Sequence, residues 1–263
     1  MSISLYNFAR LIRNAFSKSP GRKDEALRLF ANMLSEDFRL TWGNWDWYKD
    51  AEFNAFLEKF GERNGLNTHR KFQLRELLKL TRNVAGDTAE CGVFTGASSY
   101  LICQANFAAS VAKNGEGEIV GKIPRKKHLL FDTFAGLSAP AKEDGGYWQK
   151  GDLCVGEEIA RENLKEFLSA VEFYKGLIPS RFAEVSDRRF SFAHIDVDLY
   201  EPTRDSLAFF YDRANAGGII LCDDYGSAFC PGATKAFNDF MRDKPEEIIV
   251  LSGGGCFVQK SAV

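Results

Sequence analysis

The chain has 263 residues, a formal net charge of -2, 45% hydrophobic residues and 23 Phe. That is apolar material enough for one large α/β domain, or for a domain with a helical extension, and the near-neutral balance gives no reason to expect nucleic acid as the main partner. No stretch reaches the roughly 18 apolar residues of a membrane span, and the six Cys lack any Cys-x-x-Cys pair, so they read as reduced, buried thiols of a cytoplasmic protein rather than a disulfide framework.

In chain order, residues 1–18 place Leu5, Phe8, Leu11, Ile12 and Phe16 at helical spacing between Arg10, Arg13 and Lys18. The segment has no small-residue cleavage site and reads as an amphipathic helix that packs on the body or on a second subunit, which predicts a homo-oligomer. Ser19-Pro20-Gly21 breaks it. Helical spacing returns over 24–34, 53–60 and 71–80. Between them Trp42, Trp45 and Trp47 crowd one segment, as a hydrophobic anchor or as a lid over a ligand. Residues 1–84 are therefore expected to be a helical extension and 85–263 an α/β domain. That domain opens with a strand into Glu90-Cys91-Gly92-Val93-Phe94-Thr95-Gly96, whose glycines let backbone approach a ligand, followed by a helix from Ser98. A second strand ends in Asp132, the usual place for a ribose acceptor. The 36 residues between Gly96 and Asp132, and the lack of Gly-x-Gly-x-x-Gly, argue against a dinucleotide. A long loop to Gly151 is expected to be functional or mobile. A helix over 157–169 and a strand over 171–176 follow.

Two apolar runs then end in paired acids: Phe192 to Asp196 and Asp198, and Gly217 to Asp223 and Asp224. Short apolar runs read as buried strands, and ligands sit outside the carboxyl ends of strands in an open parallel sheet. As neighbours, these strands bring four carboxylates to one rim. Like charges there raise one another's pKa, and a hard cation would relieve them. Singly, Asp198 or Asp224 reads equally as a helix cap or a solvated turn. Helices over 203–213 and 234–241 and a closing hairpin over 247–251 and 256–259 complete a doubly wound pattern.

Glu90-Cys91-Gly92-Val93-x-x-Gly96, Phe131-Asp132-Thr133-Phe134-Ala135-Gly136-Leu137, His194-Ile195-Asp196-Val197-Asp198-Leu199-Tyr200, Gly217-Gly218-x-Ile220-x-x-Asp223-Asp224-Tyr225 and Cys230-Pro231-Gly232-Ala233 together resemble the macrocin O-methyltransferase family over residues 85–260. Phe94-Thr95-Gly96-Ala97 stands where many members carry Trp-Arg-Gly-Gly. The resemblance implies a Rossmann-like, seven-stranded, mostly parallel sheet and a Mg²⁺-dependent transfer of methyl from S-adenosylmethionine to a hydroxyl on a sugar of a glycosylated natural product. It also implies roles. Asp196, Asp223 and Asp224 would hold the metal, and Asp198 would be the general base. Glu90, Gly92, Val93, Gly96 and Ser98 would surround the methionine part of the cofactor, Asp132 its ribose, with Thr133, Phe134 and Asp196 completing the set. Acceptor contacts are expected from the N-terminal extension and from the loop over 135–151.

The Asp-x-Asp of Asp196 and Asp198 also suits a metal-dependent glycosyltransferase using a nucleotide sugar, or an aspartyl phosphatase. The first leaves Glu90 and the glycine loop unexplained; the second expects its motif on the first strand. A non-catalytic cofactor-binding scaffold is a third reading. His194 shares strand parity with Asp196 and is a rival base or simply a satisfied strand residue.

Overall fold

The structure, a computed structural model, describes residues 5–34, 50–63, 66–108, 111–113, 119–122 and 126–262. The segment carrying Trp42, Trp45 and Trp47 lies outside the described residues. The chain forms two compact units, Met1–Asn54 and Ala55–Val263. In the first, α1 (Leu5–Ala15) packs on α2 (Pro20–Leu34). Pro20 opens α2, where its missing N–H costs nothing. Asn14 donates to Glu25 across the pair at 2.8 Å, and Arg10 forms an ion pair with the same carboxylate. Helix α3 (Ala51–Phe60), whose residues from Ala55 on belong to the second unit, starts under the cap that the Asp50 carboxylate places on the Phe53 N–H at 3.0 Å.

The second unit is built on a seven-stranded sheet. Its strands are β1 (Asp87–Cys91), β4 (His128–Asp132), β5 (Val171–Lys175), β6 (Phe190–Ile195), β7 (Ala214–Cys222), β8 (Ile249–Val250) and β9 (Cys256–Gln259), in the order β5-β4-β1-β6-β7-β9-β8. The first five are mutually parallel, and β9 runs antiparallel to both β7 and β8. The sheet is thus seven-stranded and mostly parallel, as the family resemblance implies, and doubly wound, as the alternating pattern predicts. The sequence reading has no counterpart for a separate antiparallel pair, β2 (Val111–Lys113) with β3 (Ile119–Lys122).

The helices of this unit are α4 (Leu66–Leu80), α5 (Ala97–Ala108), α6 (Glu157–Asn163), α7 (Tyr200–Tyr211) and α8 (Pro231–Met241); α5 lies against β4 and α7 against β6 and β7, while α4 packs on α5 and α8 on α7. Every residue of β6 is buried, as expected of a strand covered on both faces. Phe131, Phe182, Phe190 and Phe210 belong to one core cluster; Leu130, Phe134, Leu164 and Phe167 belong to another. Each fully buried Phe contributes about 1.5–3 kcal/mol by leaving water.

The chain leaves β1 toward β4 and β5, then returns to lay β6 on the other side of β1. This reversal is the switch point where open α/β sheets bind ligands. The approach is close. A Cβ on Gly92 (φ +85°) would lie 1.7 Å from the Asp196 carbonyl oxygen, so only glycine lets the end of β1 pass the end of β6. Among the described residues, no helix is long and apolar enough to cross a membrane.

Candidate active site

A cavity of about 380 Å³ opens at this switch point. Glu90, Gly92, Val93, Ser98, Asp132, Thr133, Asp196, Asp198, Asp223 and Asp224 line it, all of them sites expected from the sequence. Two others stand outside its wall. Gly96, at φ +85°, turns the chain into α5 and backs onto Leu164; Phe134, at φ +52°, is buried in the core.

The β1–β4 side is tightly bonded. Asp132 Oδ2 accepts the Val93 N–H at 2.6 Å and the Phe94 N–H at 3.2 Å, and Oδ1 accepts the Phe134 N–H at 2.7 Å. The carboxylate therefore ties both ligand-facing loops together. Glu90 is 1% exposed. It accepts from the Ser99 hydroxyl, and His194 Nδ1 lies 2.9 Å from its Oε1. His128 Nε2 stands farther off, 3.6 Å from Oε2. Burial opposes its ionisation, but the two imidazoles outweigh burial and hold the carboxyl at about 2.

The β6–β7 side is an acid rim. Strand pairing of Ile195 with Cys222 sets Asp196 beside Asp223. The ligand-capable atoms fall into two groups, each within 4.8 Å: His194, Asp196 and Asp223 in one, Asp198, Asp224 and Cys230 in the other. Asp196, Asp223 and Asp224 are thereby distributed over adjoining groups. Asp198 sits in a left-handed turn at φ +59°, a conformation Asp tolerates better than most residues. Its N–H donates to Asp224 Oδ2 at 2.8 Å, and its Oδ1 accepts from the Cys230 thiol at 3.4 Å.

Three cations that the sequence reading did not foresee in this role stand against the rim. Arg70 Nη1 is 3.0 Å from Asp223 Oδ2. Lys71 is buried, donates to Ser98 Oγ at 2.5 Å, and stays charged because Asp223 and Asp196 outweigh its desolvation. Burial works against charge on His194, but Asp223, Glu90 and Asp196 push it up to about 10. Its Nε2 lies 3.7 Å from Asp223 Oδ1 and has no hydrogen-bond partner. Lys71 was findable: it precedes Leu74 and Leu78 by three and seven residues, on the buried face of α4.

These cations are unevenly shared. Asp223 is held well below the usual carboxylate range, burial being overcome by His194, Lys71 and Arg70. Asp196 is pushed up to about 7 by burial and then by Asp223, and Asp198 to about 6 by burial, with Cys230 and Arg70 opposing. Burial and the neighbouring acids raise Asp224 as well. Asp223 thus takes most of the cations' charge, and Asp196, Asp198 and Asp224 are left raised by burial and by the neighbouring acids.

A doubly wound seven-stranded sheet with its cavity at the β1–β6 switch point is the architecture of class I methyltransferases. The chain belongs to the macrocin-O-methyltransferase (TylF) family, whose model matches residues 67–259. It is similar to the demethyldecarbamoylnovobiocin O-methyltransferase of Streptomyces niveus, at 23% identity over 239 residues covering 81% of this chain and 84% of the relative. It is also similar to the 8-demethyl-8-(2,3-dimethoxy-alpha-L-rhamnosyl)-tetracenomycin-C 4'-O-methyltransferase of Streptomyces olivaceus, at 27% over 164 residues, 59% and 58% of the two chains. In fold, the crystal structure of the calicheamicin methyltransferase CalS11 matches at a TM-score of 0.64 and 18% identity, covering 98% of each chain. An O-methyltransferase family sets aside the glycosyltransferase and phosphatase readings.

Proposed function

We propose that the protein transfers a methyl group from S-adenosylmethionine to a hydroxyl of a sugar or glycosylated natural product, with Mg²⁺ or a similar hard divalent cation at the acid rim. The observation that carries the reading is the crowding of acids at the rim. Asp196, Asp198, Asp223 and Asp224 meet at two neighbouring strand ends, and burial with mutual repulsion raises three of them, a strain that a bound cation would relieve. Asp196 and Asp223 share one group of ligand-capable atoms and Asp224 stands in the adjoining one; all three offer carboxylate oxygens, the donor type Mg²⁺ takes. The cofactor side fits as well, because a cavity of this volume, bordered by a glycine loop and by Asp132, suits a cofactor-sized molecule. Of the two relatives above, one is named as an O-methyltransferase of demethyldecarbamoylnovobiocin and the other of a rhamnosyl-tetracenomycin, which supports the acceptor class.

Mg²⁺ supplies charge that lowers the pKa of an adjoining hydroxyl, and S-adenosylmethionine supplies an electrophilic methyl group. Asp198 takes the hydroxyl proton. Its backbone bond to Asp224 and its contact with Cys230 fix that carboxylate. Arg70, Lys71 and His194 keep Asp223 ionised, so the rim is already charged before a cation arrives. Glu90, locked by Ser99 and His194, acts as a counter-charge in the wall, and Ser98, Val93, Gly92 and Thr133, which line the cavity, would border the methyl donor. All six cysteines are free thiols, which suits a reducing, cytoplasmic setting.

Calorimetry with S-adenosylmethionine, with and without Mg²⁺, tests the reading. The wild type should bind the donor, and Asp196→Ala should keep donor affinity within a few-fold while losing Mg²⁺-dependent methylation in a mass-spectrometric acceptor screen. No donor binding, or tight Mg²⁺ binding that survives Asp196→Ala and Asp223→Ala, would contradict it.

A further inference from the structure

The loop after β4, expected to be functional or mobile, is a fastened arm. Its neck closes where the Leu137 N–H donates to the Asp152 carbonyl at 2.9 Å and the Gly151 N–H to the Leu137 carbonyl at 3.0 Å. Midway, the buried Asp144 accepts the Tyr200 N–H at 2.6 Å, at the first turn of α7, and the Ala141 N–H at 2.7 Å. A Cβ on Gly232 would stand 1.8 Å from Asp144 Oδ1, so α8 closes on the arm only with glycine there. Near its far end the Trp148 indole N–H donates to Cys230 Sγ at 3.4 Å, and Cys230 in turn reaches Asp198 at 3.4 Å.

These fastenings hold aromatic rings beside the acid rim. Trp148 lines the cavity with Asp198. Tyr147 stands edge-on to Trp148 at 4.8 Å and tilted to Phe229 at 4.6 Å. Tyr147 and Phe229 are more than half exposed, 58% and 54%. An ordered, exposed aromatic patch continuous with a reactive cavity marks a binding face.

We propose that Tyr147, Trp148 and Phe229 form the acceptor shelf, on which the C–H face of a neutral glycoside ring lies with one hydroxyl toward Asp198. The proposal rests on the reading of Asp198 as the group that takes the proton. The occupant must combine an apolar face, to meet the negative faces of the rings, with a hydroxyl on the same ring. A saturated sugar ring has both. A nucleotide-linked sugar suits the wall less well. Arg70 and Lys71 are the cations lining the cavity among the described residues, and both are committed, to Asp223 and to Ser98.

The test is saturation-transfer NMR on the full chain with methyl α-L-rhamnopyranoside and, separately, dTDP-rhamnose, each with and without S-adenosylhomocysteine and Mg²⁺. Wild type should transfer saturation to the ring C–H protons of the methyl glycoside. Tyr147→Ser/Phe229→Ser should bind it about tenfold more weakly, the loss expected of a ring contact. Both side chains are exposed, so the double variant should keep the wild-type melting temperature. Trp148→Ala gives a second check, with the same direction. An unchanged signal in both variants overturns the shelf. So does wild type that contacts no methyl glycoside, or that prefers dTDP-rhamnose, or a double variant that changes only the oligomeric mass in light scattering. Because the glycoside signal is also read without donor, failure of S-adenosylhomocysteine to bind in calorimetry would count against the methyl-donor reading and leave the shelf to be judged on its own signal.

Discussion

The two sides of the cavity treat their carboxylates in opposite ways. On the β1–β4 side, Glu90 and Asp132 are saturated by the chain itself: Glu90 by Ser99 and the His194 imidazole, Asp132 by three backbone N–H groups. On the β6–β7 side, the half-buried Asp196 and the buried Asp198 and Asp224 crowd together with too few partners, and their pKa values rise. Only Asp223 there has cations enough to remain low. A saturated buried carboxylate serves the fold; an under-compensated one is retained at a cost to the fold and marks the place where something else must bind.

The largest expected effect falls on the acid side and on activity. Asp198→Asn keeps the size of the side chain and removes its ability to take a proton. Turnover should fall by ~10²–10⁴-fold, the usual worth of a general base, while Mg²⁺ and donor affinities change only by small factors. Rate measurements beside calorimetry separate the two. Unchanged turnover would assign the proton to another group, and His194 would be examined next.

The contrast itself is broken or kept by two substitutions measured in metal-free protein. Glu90→Gln deprives the buried His194 of its counter-charge. Breaking a buried pair from one side costs on the order of 3 kcal/mol, roughly 6–12 °C in melting temperature for a domain of this size. Asp224→Asn relieves repulsion among Asp196, Asp198 and Asp223 while an amide oxygen can still accept the Asp198 N–H. It should therefore raise the melting temperature by a few degrees, about 1 kcal/mol. Added Mg²⁺ should stabilise wild type and not this variant. Destabilisation by both changes would mean that the two sides do not differ in the way described.

The acids were legible in the sequence because their signal is local. Phe192 to Asp196 and Ile219 to Asp223 are apolar runs with a carboxylate immediately after, and parallel strands carry such residues to one edge whatever the rest of the chain does. The closing hairpin was legible for the same reason, from two short strands around Ser252-Gly253-Gly254-Gly255. What answered the acids was not local. Arg70 meets Asp223 across 153 residues, and Trp148 meets Cys230 across 82. Periodicity shows that α4 has a buried face and even puts Lys71 on it, but it carries no statement of what lies opposite. The fastened arm was hidden in another way: its hold depends on Asp144, an acid inside a Gly-rich loop, which in sequence reads as solvent-facing turn chemistry.

The smallest effect concerns a saturated carboxylate away from the rim, which isolates the structural half of the contrast. Glu246 accepts from the Tyr211 hydroxyl, from Lys260 Nζ at 3.0 Å, and from the Ser261 N–H and hydroxyl at 3.2 and 2.8 Å. Burial works to raise its pKa, but these donors prevail and hold it at about 2. A carboxyl depressed in the folded state contributes stability that is fully present above its unfolded value, near 4.3, and is lost as pH falls through the folded value. Glu246→Gln should therefore lower neutral-pH stability by roughly 1–2 kcal/mol, partial solvent contact reducing the full linkage value. Between about pH 4.3 and 2 the difference from wild type should shrink, because the wild-type carboxyl is itself being protonated there. Urea unfolding at pH 7, 4 and 2.5 measures this directly. A gap that stays constant down to pH 2.5 would show that Glu246 acts through packing and hydrogen-bond geometry, and that saturation by donors alone does not hold a carboxylate charged in this fold.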